Sequence, residues 1–378
     1  MLTSYYTGAW GAGRAVGSDA PSWCLGEFRQ DIIMKANWWR SLGKRRRPRL
    51  SLVLVVYRMP VQARNTIRSL LPDYQRGVSR DDYEVVIVEN RSREVLDPGF
   101  LRGLPDNFSY LLRDETAPTP VYAVNEAAAT ARGENICVMI DGARLVTPGV
   151  VRGMLQALDA VPNAVISVPG YHIGTELQQA AVEKGYGVEE DQQLLASVNW
   201  QDDGYRLFNI ACFSGSCAPG FFLPNSESNC LTMPRRVWRD LGGMDERFNL
   251  RGGGMVNLDL YRRVCEYPGI QHVVLPGEGT FHQFHGGVTT GGEPAAAREV
   301  FIQQIKDQYE ELRGQPFASP QTHPVYIGGI HDAVLPFLSF SAERALAARR
   351  PTERDGNASP RLVRGSVKSL RGVQAGQS

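Results

Sequence analysis

The chain has 378 residues, of which 43% are hydrophobic and 21% are charged, so it can bury the core of one large domain or of two smaller ones. Its 41 lysine and arginine residues nearly balance its 40 aspartate and glutamate residues, which argues against a nucleic-acid partner and against extensive disorder. The longest apolar run, Leu52 to Tyr57, falls far short of the roughly 20 residues that span a bilayer.

Residues 1–47 form an irregular leader that ends in the basic run Lys44 to Arg47. Apolar residues at helical spacing predict an amphipathic helix over 27–42. We favour packing of this helix on the main domain, because its apolar face is short; the alternative is peripheral membrane contact through residues 27–47. No secretory signal is visible, and the six cysteines form no C-x-x-C pair. We therefore expect a cytoplasmic protein with reduced thiols, at most peripheral to the inner face of the membrane.

Residues 48–170 alternate between strand and helix patterns. The predicted strands are 50–57, 83–89, 109–112, 135–140 and 164–168, and the predicted helices begin at 60, 122 and 148. This alternation indicates an α/β fold with a mostly parallel central sheet and helices on both faces. Ligands of such sheets bind beyond the carboxyl ends of the strands. Those ends are marked here by Tyr57, by Glu89 with Asn90, and by Asp141.

Residues 171–341 are looser and rich in glycine, with helices predicted over 234–241 and 258–265. From 342 onward arginine, serine and glycine dominate and apolar residues become sparse. We expect 342–378 to be a basic, disordered tail.

Several common α/β chemistries lack their motif. The turn after the first strand, Tyr57 to Pro60, has no G-x-G-x-x-G pattern and so does not support a dinucleotide site. The sequence also contains neither a phosphate-binding glycine loop that ends in Lys-Ser or Lys-Thr nor a G-x-S-x-G nucleophile elbow. Hydride transfer, P-loop nucleotide hydrolysis and serine hydrolysis are therefore disfavoured.

One carboxylate and two imidazoles are candidate metal ligands. Asp141 directly follows a predicted strand, where a carboxylate suits Mg²⁺ or Mn²⁺ bridging phosphates, although an Asp-Gly turn is equally common as a structural feature. His282 and His285 lie three residues apart in a glycine-flanked segment. We expect one of this pair to bind a metal, and the spacing does not decide which.

Three glycines at 252–254 precede a predicted helix that begins near Asn257 and Asp259. Asn257 is a suitable helix cap, and the helix dipole favours Asp259 in the first turn, which are structural roles. The glycine run also lets the backbone approach a bulky polar ligand. Both interpretations stay open on these residues alone.

Five motifs in the right order resemble those of family 2 of the glycosyltransferases, enzymes with the nucleotide-diphospho-sugar transferase (GT-A) fold. The segments that carry the resemblance are 50–60, 85–90, 125–141, Gly242-Gly243-Met244-Asp245-Glu246 and 276–282. Together they cover about residues 48–290. The resemblance implies a nucleotide-sugar-binding half over 48–170 and an acceptor-binding half with a C-terminal extension over 171–341.

The resemblance also implies roles for individual residues. The expected donor-binding residues are Tyr57, Glu89, Asn90, Asn125 and Asp141, with Glu89 accepting a hydrogen bond from the base or ribose. Asp141 with His282 or His285 is expected to hold a divalent metal, Mn²⁺ or Mg²⁺, that neutralises the leaving diphosphate.

Two departures from the family pattern bear on catalysis. The second aspartate of the Asp-x-Asp metal motif is Ala143 here. The family's Glu-Asp pair, whose aspartate is the catalytic base of inverting transfer, corresponds to residues 256–257, and the amide of Asn257 cannot accept a proton from an acceptor hydroxyl. Asp259 matches the downstream aspartate of the same motif, and Asp245 or Glu246 could reach the acceptor. The catalytic positions that the resemblance implies are therefore Asp259, Asp245 and Asn257. An inverting or a retaining outcome is not resolved.

The sequence therefore predicts a glycosyltransferase that moves a sugar from a nucleotide-diphosphate donor to a glycan or lipid-linked acceptor in cell-surface polysaccharide synthesis. The alternative is a catalytically inactive nucleotide-sugar-binding protein or a membrane-surface scaffold, which Ala143 and Asn257 keep open. A nucleotidyltransferase on a related fold is disfavoured, because no glycine- and arginine-rich loop follows the first strand.

Overall fold

The structure, a computed structural model, describes residues 47–287 and 295–349. The predicted leader helix over 27–42, the membrane contact considered for it and the tail from 350 onward lie outside these ranges. Among the residues that are described, no helix combines the length and the apolar character that crossing a membrane requires.

The first part of the chain forms the alternating pattern that its sequence predicts. Its elements are β1 (Leu50–Val56), α1 (Pro60–Ser69), β2 (Tyr83–Asn90), α2 (Pro98–Arg102), β3 (Phe108–Arg113), α3 (Val121–Thr130) and β4 (Asn135–Met139). β1 and β2 are buried along their whole length, as is typical of central strands of a parallel sheet, which are rich in valine, isoleucine and leucine. Pro60 occupies the first turn of α1, where its missing amide hydrogen costs nothing. α3 ends shortly before Gly133, where a Cβ would lie 2.5 Å from the Ser51 hydroxyl oxygen.

The remaining elements are mostly shorter. In chain order they are β5 (Arg144–Val146), α4 (Val150–Ala160), β6 (Ala164–Ser167), β7 (Gly170–Ile173), α5 (Gln178–Ala181), α6 (Val188–Ser197), β8 (Ala211–Phe213), β9 (Leu231–Pro234), α7 (Arg235–Asp240), α8 (Val256–Cys265), β10 (Gln271–Val274), β11 (Thr280–His282), α9 (Ala295–Arg313), β12 (Val325–Tyr326) and α10 (Leu335–Ala348). The helices predicted over 234–241 and 258–265 correspond to α7 and α8.

Eight strands form the central sheet, in the order β12-β10-β6-β9-β4-β1-β2-β3. Neighbouring strands are parallel except at β9, which runs antiparallel to both β4 and β6. Side chains of α1 and α4 belong to one hydrophobic cluster, and those of α3 and α8 belong to another. Helices therefore cover both faces of the sheet. This is the mostly parallel α/β architecture that the sequence predicts.

A second sheet, which the strand pattern does not predict, has the order β5-β11-β7-β8. One of its faces is aromatic, with the rings of Tyr171 and Phe281 stacked 5.1 Å apart. The residues that alternate with these are polar. His282 pairs with Arg144 on one neighbouring strand and with His172 on the other, so the three side chains form a row on the opposite face.

The predicted tail begins too early at 342, because α10 continues through Ala348. Residues 345–348 are alanine and leucine, which are strong helix formers. The buried hydroxyl of Ser341 also anchors the helix, since it accepts a hydrogen bond of 3.0 Å from the Phe221 amide. Residues 342–348 thus belong to the folded domain.

The cysteines of the described ranges are free thiols, as predicted; they are Cys137, Cys212, Cys217, Cys230 and Cys265. Two of them, Cys137 and Cys230, lie side by side in the core with 3.6 Å between their sulfur atoms. Cys24 lies outside the described residues.

Candidate active site

Asp141 lies just beyond the carboxyl end of β4, at the edge of the sheet where ligands of such folds bind. The next residue, Gly142, passes so close to β1 that a Cβ there would lie 2.8 Å from the Val55 carbonyl oxygen. The Ala143 amide donates a hydrogen bond of 2.9 Å to Asp141 Oδ1 and so orients the carboxylate. The side chain of Asp141 is 18% exposed, which leaves it accessible to a ligand.

Two histidines at the end of β11 and in the following loop face this carboxylate. His282 Nε2 lies 3.0 Å from Asp141 Oδ2, and His285 Nε2 lies 3.7 Å from Asp141 Oδ1. The two imidazole nitrogens are 3.2 Å apart. The sequence predicts that one histidine of the pair is a ligand, whereas the structure brings both to Asp141, with one ligand atom of each residue within 4.8 Å of the others.

Gln178 fixes the tautomer of His282. The Gln178 side-chain nitrogen donates to the His282 carbonyl oxygen at 3.0 Å, so the side-chain oxygen accepts from His282 Nδ1 at 2.6 Å. In neutral His282 the proton therefore lies on Nδ1, and Nε2 presents a lone pair to Asp141. A lone pair that faces a carboxylate oxygen favours a cation between them, and a partner that orients the imidazole from behind is typical of metal sites.

Burial lowers the pKa of His282 to about 4, although Asp141 opposes the shift. Burial alone would raise the pKa of Asp141, but the facing imidazoles of His285 and His282 outweigh it and hold this pKa well below its ordinary value. Burial also lowers the pKa of the neighbouring His172 to about 2. Near neutral pH the site therefore presents an ionised carboxylate beside neutral His282, which are the protonation states that metal binding requires.

Arg144, which belongs to none of the sequence motifs, is a buried cation in the same site. It is 7% exposed, and its Nε lies 3.7 Å from Asp141 Oδ2. Within the described part of the chain, neither Nε nor Nη1 of Arg144 has a hydrogen-bond partner. Burying unsatisfied donors is costly, and the planar guanidinium matches phosphate oxygens. Arg144 therefore places an anion-binding group next to the cation-binding group.

A buried polar network holds the histidine loop against α1. The Gln283 amide donates to the Ala143 carbonyl oxygen at 2.8 Å. The Gln283 side chain accepts from Asn65 Nδ2 at 2.9 Å and donates to the Gln62 carbonyl oxygen at 3.1 Å. Gln62 Nε2 in turn donates to the Phe284 carbonyl oxygen at 2.8 Å. Because these contacts are buried, they fix the two histidines relative to Asp141.

Tyr57, expected on the donor side, follows β1 at the same edge of the sheet and is 43% exposed. The Arg58 guanidinium lies 4.9 Å from the centre of the Tyr57 ring. Arg58 has a φ of 56°, in the left-handed region that residues other than glycine rarely adopt. Strained residues of this kind cluster at binding sites. The placement of Tyr57 is thus compatible with donor contact.

Glu89 does not fit its expected contact with the base or ribose. Its side chain is fully buried, and its carboxylate accepts hydrogen bonds from the Leu96 amide and from the Tyr110 hydroxyl, the latter at 2.6 Å. Burial raises the pKa of Glu89, and the two donors only partly oppose the rise. Strand alternation turns this side chain into the core. Asn90, 6% exposed, accepts a long hydrogen bond of 3.4 Å from Arg113 Nη1.

Asn125 is likewise engaged by the protein itself. From α3 its Nδ2 donates to the Met244 carbonyl oxygen and its Oδ1 accepts from the Met244 amide, both at 3.0 Å. Nδ2 also lies 3.2 Å from Glu246 Oε1. Asn125 thus fastens the turn at 242–246 to α3. The expected donor contact of Asn125 is not supported, because both ends of its amide are used.

Asp245 and Asp259 are joined through Arg313 of α9. Arg313 Nη2 lies 2.8 Å from Asp245 Oδ2 and 2.8 Å from Asp259 Oδ2, and its Nε lies 2.6 Å from Asp259 Oδ1. Arg263 pairs with Asp259, which is 1% exposed, and Arg247 pairs with Asp245. The hydrogen bond from Arg247 lowers the pKa of Asp245, and Arg313 lowers it further. Burial opposes this shift, but the pKa stays below its ordinary range. Both acids are thus structural ion-pair partners, and their expected catalytic roles are not supported.

Asn257, in the first turn of α8, contacts a carboxylate from an earlier loop. Its Nδ2 donates to Glu227 Oε2 at 2.7 Å and lies 3.1 Å from Asn229 Oδ1. α8 begins without a side-chain cap, so the capping role considered for Asn257 is not observed. The family's base position is therefore occupied by an amide that holds Glu227.

The sequence motifs miss Arg144 and Gln178 of this site, and they also miss Glu227, the partner of Asn257. Arg144 lies on β5 of the second sheet, and Gln178, at the start of α5, contacts His282 on β11 of that sheet. The available signal for Arg144 is a single charge within the apolar stretch 143–146. No comparable signal marks Gln178 or Glu227.

Residues 51–222 match the family described as Glycosyl transferase family 2. Solved structures similar to the chain include S. aureus TarS 1–349 in complex with UDP-GlcNAc, at 12% identity and a TM-score of 0.43, over 69% of this chain and 66% of that one. The mannosyltransferase PcManGT from Pyrobaculum calidifontis, in complex with GDP-Man and Mn²⁺, is similar at 15% identity and a TM-score of 0.41, over 85% of this chain and 79% of that one. The curated proteins include no significant match.

The family match is made on sequence and extends from β1 past β8, so it includes the strand end that carries Asp141. The mostly parallel sheet, covered by helices on both faces, agrees with the fold that this family implies. The chain therefore contains a glycosyl transferase family 2 domain over residues 51–222, has a GT-A-type fold and is a glycosyltransferase.

Proposed function

We propose that the protein transfers a sugar from a nucleotide-diphosphate donor whose diphosphate binds at Asp141, His282, His285 and Arg144. The observation that carries this proposal is the convergence of a carboxylate and two imidazoles with a buried guanidinium whose Nε and Nη1 find no partner among the described residues. A diphosphate and a divalent cation together complement this set of groups in charge and in hydrogen bonding.

The ligand set fits a divalent cation. Asp141 offers oxygen and the two histidines offer nitrogen, and Gln178 orients His282 from behind. Two nitrogen ligands favour Mn²⁺ over Mg²⁺, which prefers an oxygen environment. A bound cation would neutralise the charge that develops on the leaving diphosphate.

Two further side chains would complete the donor site. Arg144 would donate Nε and Nη1 to a phosphate oxygen, which satisfies both buried groups. Tyr57, exposed at the end of β1, would pack its ring on the base or ribose, in place of the contact expected of Glu89.

On the acceptor side we infer a glycan or a lipid-linked sugar in cell-surface polysaccharide synthesis, at the cytoplasmic face of the membrane. The family resemblance supports the acceptor class. Peripheral contact through residues 27–47 is the alternative to packing of the leader helix on the main domain, and the tryptophan residues and basic end of the leader support this alternative.

Calorimetric titration with UDP-GlcNAc, UDP-glucose, GDP-mannose and other nucleotide sugars, with and without Mn²⁺, tests the donor site. We expect one donor to bind, and to bind at least tenfold more weakly without metal. The Arg144→Met protein should lose affinity for that donor and for its nucleoside diphosphate alike, because it lacks the phosphate contact.

Failure of every donor to bind would contradict the proposal. It would favour the inactive scaffold that Ala143 and Asn257 leave as the alternative. Co-sedimentation with anionic liposomes, for chains with and without residues 1–47, would then test that alternative.

A further inference from the structure

We propose that Glu227 is the general base of the transfer reaction, supplied by the loop before β9 in place of the carboxylate that Asn257 replaces. This inference rests on the proposed function. Glu227 belongs to none of the motifs that identify the family, and its assignment depends on contacts made in the folded protein.

The topology brings Glu227 to the edge of the sheet that carries Asp141. β9 runs antiparallel to β4, with Leu231 opposite Val138. The chain that leads into β9 therefore lies beyond the carboxyl end of β4, where Asp141 also lies. The buried hydroxyl of Ser228, next to Glu227, donates to the Val168 carbonyl oxygen at 3.1 Å and fastens this segment to the end of β6.

The Cys217 thiol links the segment of Glu227 to the second sheet, since its sulfur lies 3.9 Å from the Glu227 carbonyl oxygen and accepts a hydrogen bond of 3.2 Å from the Gly170 amide at the start of β7. Burial raises the pKa of the Cys217 thiol, the Glu227 carboxylate adds to this rise and the Arg144 guanidinium opposes it. Glu227 and Arg144 therefore act on the same buried thiol from their two segments of chain. Arg144 in turn lies 3.7 Å from the Asp141 carboxylate.

The contact with Asn257 orients Glu227 and leaves part of it free. Asn257 Nδ2 donates to Glu227 Oε2 at 2.7 Å. Within residues 47–287 and 295–349, no hydrogen bond reaches the other carboxylate oxygen, Oε1, and the side chain is only half-buried. No arginine or lysine of these ranges forms an ion pair with Glu227, in contrast to Asp245 and Asp259. One lone-pair-bearing oxygen is thus available to a substrate hydroxyl.

Glu227 Oε1 takes the proton of the acceptor hydroxyl while the hydroxyl oxygen forms a bond to the anomeric carbon of the donor sugar. The bond from that carbon to the diphosphate oxygen breaks, and its electron pair leaves with the nucleoside diphosphate. Asn257 is a positioning residue in this step, since it acts by holding the carboxylate.

The test compares wild type with Glu227→Gln, Glu227→Ala and Asn257→Ala, in the full chain with Mn²⁺ and the nucleotide sugars of the calorimetric panel. The readouts are donor affinity by calorimetry and release of nucleoside diphosphate by transfer to water. Gln at 227 can still accept the Asn257 hydrogen bond, so this variant keeps the fold. Glu310→Gln, on the exposed face of α9, is the matched control.

We expect Glu227→Gln to bind the donor within about twofold of wild type and to release nucleoside diphosphate about 10²- to 10⁴-fold more slowly, the usual contribution of a general base. Formate should partly restore the rate of Glu227→Ala. Asn257→Ala should lower kcat without changing the donor KM, an effect that a purely structural role would not produce.

Two outcomes would overturn the assignment of Glu227 and leave the proposed function intact. One is release of nucleoside diphosphate by Glu227→Gln at the wild-type rate. The other is donor binding by wild type without any release, because a general base in this position would also activate water. Failure of wild type to bind any donor would instead overturn the proposed function and this inference with it.

Discussion

Asp141 and the acidic pair Asp245 and Asp259, all singled out by sequence motifs, have opposite surroundings. Asp141 faces His282 and His285 and lies beside the Arg144 guanidinium, whose Nε and Nη1 have no hydrogen-bond partner among the residues that the structure describes. Asp245 and Asp259 instead contact arginines, with Arg313 bridging the two. Asp141 and its neighbours can still bind a cation and an anion. The charges of Asp245 and Asp259 are instead neutralised by arginines within the fold.

This difference shows how a binding carboxylate can be told from a structural one. A carboxylate whose oxygens are saturated by guanidinium groups has no capacity left for a substrate, whatever motif surrounds it. A carboxylate that faces lone pairs is incomplete without a ligand.

Asp141→Ala should abolish sugar transfer, with a loss of about 10³-fold or more, because it removes the only carboxylate of the metal-binding group. Metal-dependent donor binding should be lost with it, whereas the melting temperature should change little. Calorimetry and thermal unfolding measure the two effects. Asp245→Asn is the comparison, since it should leave donor affinity intact; undiminished transfer by Asp141→Ala would refute the donor-site assignment.

Arg313→Met should lower the free energy of unfolding by about 3 kcal/mol, because it leaves the buried Asp259 with Arg263 alone and removes a partner of Asp245. Donor affinity of the folded protein should be unchanged. Urea unfolding measures the first effect. Arg247→Met removes an exposed partner of the same Asp245 and should cost clearly less. Equal losses in the two variants would contradict the structural role of Arg313.

His272 should make stability depend on pH. It lies between the Ser167 and Thr322 hydroxyls, and burial lowers its pKa to about 4. The unfolded chain takes up a proton at this histidine below about pH 6.5, whereas the folded chain does so only near pH 4. Between these pH values the unfolded state binds more protons, so the free energy of unfolding falls as the pH falls. The total loss is up to about 3 kcal/mol.

His272→Gln should therefore show a shallower loss of stability between pH 6.5 and 4 than wild type, as measured by urea unfolding at several pH values. His323→Gln, at an exposed position, is the matched control and should keep the wild-type slope. Parallel slopes in wild type and His272→Gln would contradict this prediction, because they would show that folding does not change the pKa of His272.

Glu89→Gln should have the smallest effect on function, a change in donor affinity of less than about twofold, because the carboxylate lies in the core with its hydrogen bonds satisfied. Calorimetry with the bound donor measures it. A tenfold loss of affinity would restore Glu89 to the donor site.

The elements that the sequence predicts well are those with a strong local pattern. β1 and β2 are mostly apolar runs rich in valine, and Asp141, which follows the apolar end of β4, marks the crevice. Asp141 and the histidine pair could be identified because strand ends and glycine-flanked imidazoles are visible in short windows of sequence. The family resemblance adds the order in which these windows occur.

What could not be predicted depends on partners that are distant in sequence. Asn125 looks free until Met244 is placed against it, and Asp259 looks catalytic until Arg313 is. The second sheet is built from strands of three or four residues, too short for a periodic signal. Arg144 and His282 meet only because that sheet pairs them.

The network between α1 and the histidine loop links the site to the completion of synthesis. Gln62 bonds to Phe284 across 222 positions and Asn65 bonds to Gln283 across 218. α1 leaves the ribosome before this loop, so its polar side chains lack these partners until the loop is translated. A nascent or truncated chain that stops before β11 lacks both histidines, so the proposed donor site can form only after β11 has been synthesised.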